Sequence, residues 1–283
     1  SYISLLPFLW VLNLAPKLSL TLLKPLIFFL LYRVLGYRKK VVESNMMRCF
    51  AYNKSELNTH VKQFYKHLSG LLLEPFLTPG FSKEYLSRRV VFKNELTEQY
   101  HKEGRMVFLA MGHMGNWEWL GTIAPSYTSF TTSIVYQKLS NPYVEKYINK
   151  SRSKYGTACI EMREVLRFLI EAKKKPNPTV MSFLGDQVPN SDKCAVVDFF
   201  GEPMYFYDGY EKLAKRLGAV VLYVHSEIID NTYVYTPELI TDFELTPNYD
   251  KTVSDYAKLL EQNIRKQPYN WLWSHRRWKR MPK

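Results

Sequence analysis

The chain has 283 residues and carries 39 Lys and Arg against 26 Asp and Glu, a net charge of +13 with a pI near 9.4. A 46% hydrophobic and 15% aromatic content supplies enough apolar surface for a packed core and excludes a disordered chain, while a mean hydropathy of -0.26 excludes a polytopic membrane protein. The positive excess points to anionic partners: an anionic bilayer, phosphorylated lipid, an acidic carrier protein or nucleic acid.

Residues 1–32 contain only two charges, Lys17 and Lys24, among Leu, Phe, Ile and Trp. This is membrane-like composition, yet Pro7, Pro16 and Pro25 interrupt it, and no uncharged stretch reaches the ~20 residues of a spanning helix. The expectation is a helix pair embedded in, or tilted through, one leaflet. Arg33, Arg38, Lys39 and Lys40 follow at once, and the positive-inside rule puts them and the remainder on the cytoplasmic side. Lacking a small-residue cleavage site near its end, the run reads as an anchor, residues 1–40, rather than a removed signal. Residues 41–283 then form one catalytic domain.

In residues 54–77, Leu57, Val61, Phe64, Leu68, Leu71 and Leu72 recur at three- and four-residue intervals, which predicts an amphipathic helix with Ser55 as its N-cap. Short β-rich runs follow at 90–92, 106–111, 131–135, 179–183 and 220–229, with helical patterns at 141–155, 163–174 and 209–217. The basic run 173–178 reads as a turn. No repeat or linker divides the chain. Such alternation predicts an α/β fold with a largely parallel sheet flanked by helices, and active sites of such folds gather at the C-terminal strand ends.

Directly after the 106–111 run stands Gly112-His113-Met114-Gly115-Asn116-Trp117-Glu118-Trp119. On a continuous helix, residues five apart do not share a face. A bend at Gly112 and Gly115 would let His113 on the strand end meet Glu118 in the first turn of the next helix, with Asn116 as the cap. An imidazole fixed by a carboxylate suits general-base chemistry on a hydroxyl. The spacing alone is weak evidence, and it occurs again at His225 and Asp230, which lie in a β-rich run without a glycine bend and read as structural. No G-x-S-x-G elbow, GxxxxGK loop, G-x-G-x-x-G fingerprint or H-E-x-x-H helix is present. Cys49, Cys159 and Cys194 lack CxxC spacing, so the expectation is a reduced, cytosol-facing protein without structural metal.

Together with other segments, this motif resembles the late acyltransferases of lipid A biosynthesis, the lauroyl and myristoyl transferases of the lysophospholipid acyltransferase superfamily. Those segments are Glu43-Ser44-Asn45 leading to Arg48-Cys49-Phe50, Arg152 with Gly156, Gly185-Asp186-Gln187, Phe199-Phe200-Gly201, Leu213-Ala214 with Leu217-Gly218-Ala219, and Tyr269-Asn270-Trp271-Leu272-Trp273 through Arg276-Arg277-Trp278-Lys279. Ala51 departs from the family's usual proline, and Tyr205, Phe206, Tyr207 and Glu211 stand where smaller residues are common. The resemblance implies a glycerolphosphate-acyltransferase-like fold at the cytoplasmic face of a bacterial inner membrane. It implies fatty acyl transfer from acyl carrier protein to a hydroxyl of an anionic lipid A precursor, with no cofactor and no metal. His113 would be the base oriented by Glu118, Arg152 a donor to the oxyanion, and Asn116, Asp186 and Gln187 would bind substrate or organise its pocket. An acceptor built on glycerol phosphate, a lysophospholipid or an aminoacyl lipid is the alternative.

The tail interleaves Trp271, Trp273 and Trp278 with Arg276, Arg277, Lys279, Arg280 and Lys283. This suits a membrane interface, single-stranded nucleic acid, or a helix whose tryptophans pack on the core. The apolar start favours the membrane over a basic nucleic-acid binding protein, so no nucleic acid is expected.

Overall fold

A computed structural model describes residues 2–282 of the chain. Helix α1 (Tyr2–Leu14) and helix α2 (Pro16–Phe29) meet at Ala15, and Pro16 opens α2 where a missing N–H costs nothing. The second helix runs on through a wider π turn at Leu30–Val34. No single helix among the described residues is long and apolar enough to cross a membrane; Pro7–Leu14 and Pro16–Val34 reach that length only together, across a 111° bend.

Helices α3 (Lys39–Cys49) and α4 (Lys54–Leu77) follow. The N-cap of α4 is Asn53 rather than Ser55: its Oδ1 accepts from the backbone N–H groups of Ser55 and Glu56 at 2.9 and 3.0 Å, and Glu56 Oε2 accepts from the Asn53 N–H at 2.8 Å. This reciprocal box satisfies three backbone N–H groups, which a serine two positions later cannot do. Helix α2 packs along α4, while Leu18, Leu22 and Leu26, one turn apart on its other face, are at least half exposed.

The alternating region contains α5 (Lys83–Arg89), β1 (Val90–Phe92), α6 (Glu95–Lys102), β2 (Val107–Met111), α7 (Trp117–Ile123), β3 (Thr131–Tyr136), α8 (Pro142–Arg152), β4 (Ala158–Glu161), α9 (Val165–Lys173) and β5 (Thr179–Leu184). After it come β6 (Ala195–Phe199), β7 (Glu202–Phe206), α10 (Gly209–Leu217), β8 (Val220–Ile229), β9 (Thr232–Asp242) and α11 (Thr252–Lys266). Seven strands form one sheet in the order β1-β9-β8-β2-β5-β3-β4, parallel at every junction except β8–β9. The expected α/β architecture of a mostly parallel sheet flanked by helices is present.

Every residue of β2 is buried, as a central parallel strand covered on both faces requires. Phe108 and Ala110 join one core cluster, with α4 and α11; Val107, Leu109 and Met111 join the other, with Trp119 and Ile123 of α7. Two hairpins escaped the sequence pattern. The β6–β7 hairpin forms a separate antiparallel pair, and residues 220–242 fold into the β8–β9 hairpin through Asp230 and Asn231, both at positive φ, the conformation of a two-residue primed turn.

Candidate active site

Parallel pairing of β2 with β5 sets Met111 opposite Leu184. Two residues beyond that last pair, His113 stands beside Asp186. The imidazole Nδ1 lies 2.5 Å from Asp186 Oδ1, and the His113 backbone N–H donates to Oδ2 at 2.8 Å. A third donor, the Trp271 indole N–H, reaches Oδ2 at 2.7 Å. Burial by itself would raise the Asp186 carboxyl, but the His113 charge, the two His113 hydrogen bonds and the Trp271 bond outweigh it and hold this group at about 2. Asp186 therefore stays ionised, accepts the Nδ1 proton and leaves a lone pair on Nε2. Gln187 Nε2 donates to that lone pair at 3.2 Å.

His113 and Gln187 line a cavity of about 540 Å³ together with Val135, Leu139, Met162 and Leu213. This volume lies within the ~300–1,000 Å³ of small-molecule sites. Trp117 stands edge-on to the imidazole, 5.0 Å between ring centres, and restricts the ring to this orientation.

The 112–118 loop is built from below. Gly115 adopts φ +65°, and a Cβ there would collide with the hydroxyls of Ser226 and Tyr235, so only glycine lets the loop settle onto β8 and β9. The Gly115 N–H donates to Asn270 Oδ1 at 2.7 Å, and Asn270 Nδ2 donates in turn to the Ser226 carbonyl at 3.2 Å. The Leu272 N–H donates to the His113 carbonyl at 3.1 Å.

The expected pairing of His113 with Glu118 is not formed. Asn116 accepts from the Trp119 N–H at 2.9 Å and starts α7 at Trp117. Trp117 therefore takes the place beside the imidazole, and Glu118, about 100° further round the helix, turns towards α8. There its carboxylate takes a two-pronged grip from Arg152: Nε to Oε2 at 2.7 Å and Nη2 to Oε1 at 2.6 Å. Burial alone would lower the Arg152 guanidinium; the hydrogen bonds and charge of Glu118 raise it instead. Arg152 Nη1 also donates to Asn149 Oδ1 at 3.2 Å, so three of the five guanidinium N–H groups are engaged. The Glu118–Arg152 pair lines the large cavity and also a narrow apolar one of about 70 Å³ against β2, β3 and β5.

Of the residues singled out in the sequence, His113, Glu118, Arg152 and Gln187 meet at one cavity. Asp186 sits behind the imidazole, only 3% exposed. Asn116 is fully buried; its side chain serves Trp119 and Glu74 and does not face the cavity, so the expected substrate contact is replaced by a loop-holding one. His225 pairs with Glu238 across the β8–β9 hairpin at 2.6 Å, not with Asp230. Trp271 and Trp273 are buried in the core, and the buried Arg277 guanidinium stacks on Phe206 at 4.1 Å, so this part of the tail packs inward. The motif reading missed Trp271 as a partner of Asp186 and Glu74 as a partner of Asn116. The signal available for Trp271 was its place in the Tyr-Asn-Trp-Leu-Trp segment; for Glu74 it was an acid on the apolar face of α4.

A mostly parallel α/β sheet whose adjoining strand ends pair a histidine with a carboxylate, above a mainly apolar cavity that no serine or cysteine lines among the described residues, has the chemistry a general base needs and lacks a serine or cysteine nucleophile there. The family model of the bacterial lipid A biosynthesis acyltransferases matches residues 3–280, and the chain belongs to that family. Membership makes it an acyltransferase. A comparison with individually curated proteins gave no match.

Proposed function

We propose that the protein transfers a fatty acyl chain from acyl carrier protein to a hydroxyl of a lipid A precursor, with His113 as the general base. The observation that carries this reading is the imidazole itself, whose Nδ1 is committed to Asp186 and whose Nε2 faces a cavity with mainly apolar walls. An acceptor hydroxyl replaces Gln187 at Nε2 and gives up its proton there. Its oxygen attacks the thioester carbonyl carbon, and the oxyanion of the tetrahedral intermediate takes hydrogen bonds from the Gln187 amide and the two unengaged N–H groups of Arg152. Collapse breaks the C–S bond, and the imidazolium returns the proton to the leaving thiolate. Asp186, already ionised, stabilises the imidazolium throughout.

Membrane attachment is supported by the outer face of α1 and α2, where Phe8, Trp10, Leu14, Leu18, Leu22 and Leu26 are exposed. An apolar face of this size on two helices, neither long and apolar enough to cross a bilayer by itself, fits insertion into one leaflet. Arg33, Arg38, Lys39 and Lys40 then meet anionic headgroups at the cytoplasmic face of the bacterial inner membrane. Leu139 and Met162, exposed at the cavity lip, give a lipid chain an apolar entrance.

The test is transfer in vitro from acyl carrier protein to a hydroxyacyl disaccharide lipid, with the product analysed by mass spectrometry. An acyl ester on the hydroxyacyl chain supports the reading. A product esterified only on a glycerol hydroxyl overturns the acceptor assignment.

A further inference from the structure

Lys24 is one of only two charges in the apolar residues 1–32, and attachment to a bilayer gives it no task. The structure turns it inward. On α4, Gly70 leaves an open place where a Cβ would lie 3.1 Å from Glu74 Oε1 and 3.4 Å from both Cε and Nζ of Lys24. The ammonium group of α2 and the carboxylate of α4 thus face each other across one bare stretch of backbone, near neighbours without a direct ion pair. Glu74 is 1% exposed, and its Oε2 accepts from Asn116 Nδ2 at 2.5 Å. Asn116 in turn holds the first turn of α7 through the Trp119 N–H. Four residues on three elements therefore connect the apolar helix pair to the loop bearing His113 and Glu118.

A buried acid is costly unless partnered; here the hydrogen-bond partner is Asn116, with Lys24 and Arg89 as nearby cations that act through their charge rather than by direct contact. Burial pushes the Glu74 carboxyl up to about 7, while the charges of Lys24 and of Arg89 on α5 act to lower it. His67, about two turns earlier on α4, is buried and held neutral, burial lowering its ring to about 3; it offers no competing cation. A hydrophobic residue at 74 would leave the Asn116 amide without an acceptor in the interior.

We propose that Glu74 is a positioning residue for the transfer reaction: it holds the 112–118 loop through Asn116, and Lys24 is its counter-cation, so that the seating of α2 on α4 is coupled to the placement of His113. The proposal rests on His113 being the base. The apolar helices are on this account part of the catalytic framework as well as the attachment to the bilayer.

The experiment measures kcat and the donor KM of the full chain in detergent micelles, with acyl carrier protein thioester as donor and hydroxyacyl disaccharide lipid as acceptor. Five variants are compared with the unaltered protein: Lys24→Met, Glu74→Gln, Lys24→Met with Glu74→Gln, Glu74→Ala and His113→Gln. Lys24→Met, which strands a buried carboxylate, should lower kcat by about tenfold with the donor KM within about twofold. Glu74→Gln keeps an acceptor for Asn116 and should retain kcat within about threefold. In the Glu74→Gln background, Lys24→Met should change kcat by less than about twofold, because the charge that needed it is gone. Glu74→Ala should fall further than Glu74→Gln. Independent, multiplicative effects of Lys24→Met and Glu74→Gln overturn the coupling, as does an unaltered kcat in Glu74→Ala. The two isosteric or half-exposed changes, Glu74→Gln and Lys24→Met, decide the matter even where Glu74→Ala does not fold. Full turnover in His113→Gln removes the base itself, and this proposal with it; an inactive His113→Gln beside additive Lys24 and Glu74 effects overturns the coupling alone.

Discussion

His113 and Asp186 meet at 2.5 Å across two adjacent parallel strand ends, although 73 residues separate them in the chain. The nearby Glu118 is turned away to Arg152. Strand register, rather than proximity in sequence, decides which carboxylate orients the imidazole. It also decides the chemistry, because an acceptor at Nδ1 fixes the tautomer whose Nε2 can take a proton from the cavity.

That tautomer is directly observable. In nitrogen-15 NMR of the neutral imidazole, His113 should show a protonated Nδ1 and an unprotonated Nε2. Asp186→Asn, which can present an N–H to the ring in place of an anionic acceptor, should populate the opposite tautomer. A protonated Nε2 in the unaltered protein contradicts the assignment.

The Glu118–Arg152 pair, with side chains only 17% and 19% exposed, should behave as a coupled unit. Glu118→Ala leaves the guanidinium largely buried without its anion and should destabilise the fold by about 3 kcal/mol. Adding Arg152→Met should restore part of that loss rather than double it. Chemical denaturation of the two single variants and the double variant measures the coupling, and strict additivity argues against a structural pair.

Glu74 gives stability a definite pH dependence. Its carboxyl is raised from 4.5 in the unfolded chain to about 7 in the folded protein, so between these values the folded state holds the proton more tightly. Its contribution is complete below pH 4.5 and is lost as pH rises through about 7. The shift corresponds to about 3 kcal/mol at 1.36 kcal/mol per unit. His67, lowered from 6.5 to about 3, acts with the opposite sign, losing stability as pH falls below 6.5. The difference in unfolding free energy between the unaltered protein and Glu74→Gln isolates the first effect: it should shift against the unaltered protein as pH rises from 4.5 to 7, and a flat difference is the contrary result.

The net charge of +13 should make the donor KM dependent on salt, because an acidic carrier protein is drawn to a basic surface over a screening length of about 8–10 Å at physiological ionic strength. Raising ionic strength should increase the donor KM several-fold and leave kcat largely unchanged. A donor KM insensitive to salt argues against electrostatic docking of the carrier.

Much of this arrangement was legible in the sequence. Apolar runs placed β2 and β5 within a residue or two of their observed ends, and the glycine-bracketed His113 and the Gly185-Asp186-Gln187 segment both fell at C-terminal strand ends, where parallel sheets build sites. Adjacency of β2 to β5 is a tertiary fact that no local pattern encodes, and without it Glu118 was the nearest visible partner for His113. The cap of α4 went to Asn53 because the reciprocal Glu56 bond outweighs the local preference for serine. The β8–β9 turn was announced only by Asp230-Asn231, and β4, four residues long, carried too little periodicity to register. Lys24 stood out only as a charge in an apolar segment because the acid it faces, Glu74, lies fifty residues away on a helix read for its apolar positions.

The most direct measurement of the central claim is the turnover of Asp186→Asn beside that of His113→Gln, each shown by circular dichroism to be folded and by flotation to bind vesicles as the unaltered protein does. Loss of the orienting carboxylate from a histidine base lowers kcat by ~10⁴ where it has been isolated. The account predicts a fall of at least about a hundredfold for Asp186→Asn and a larger one for His113→Gln, with acceptor KM little changed. Turnover near that of the unaltered protein in Asp186→Asn would show that this carboxylate does not serve the base, and the same result in His113→Gln would show that His113 is not the base.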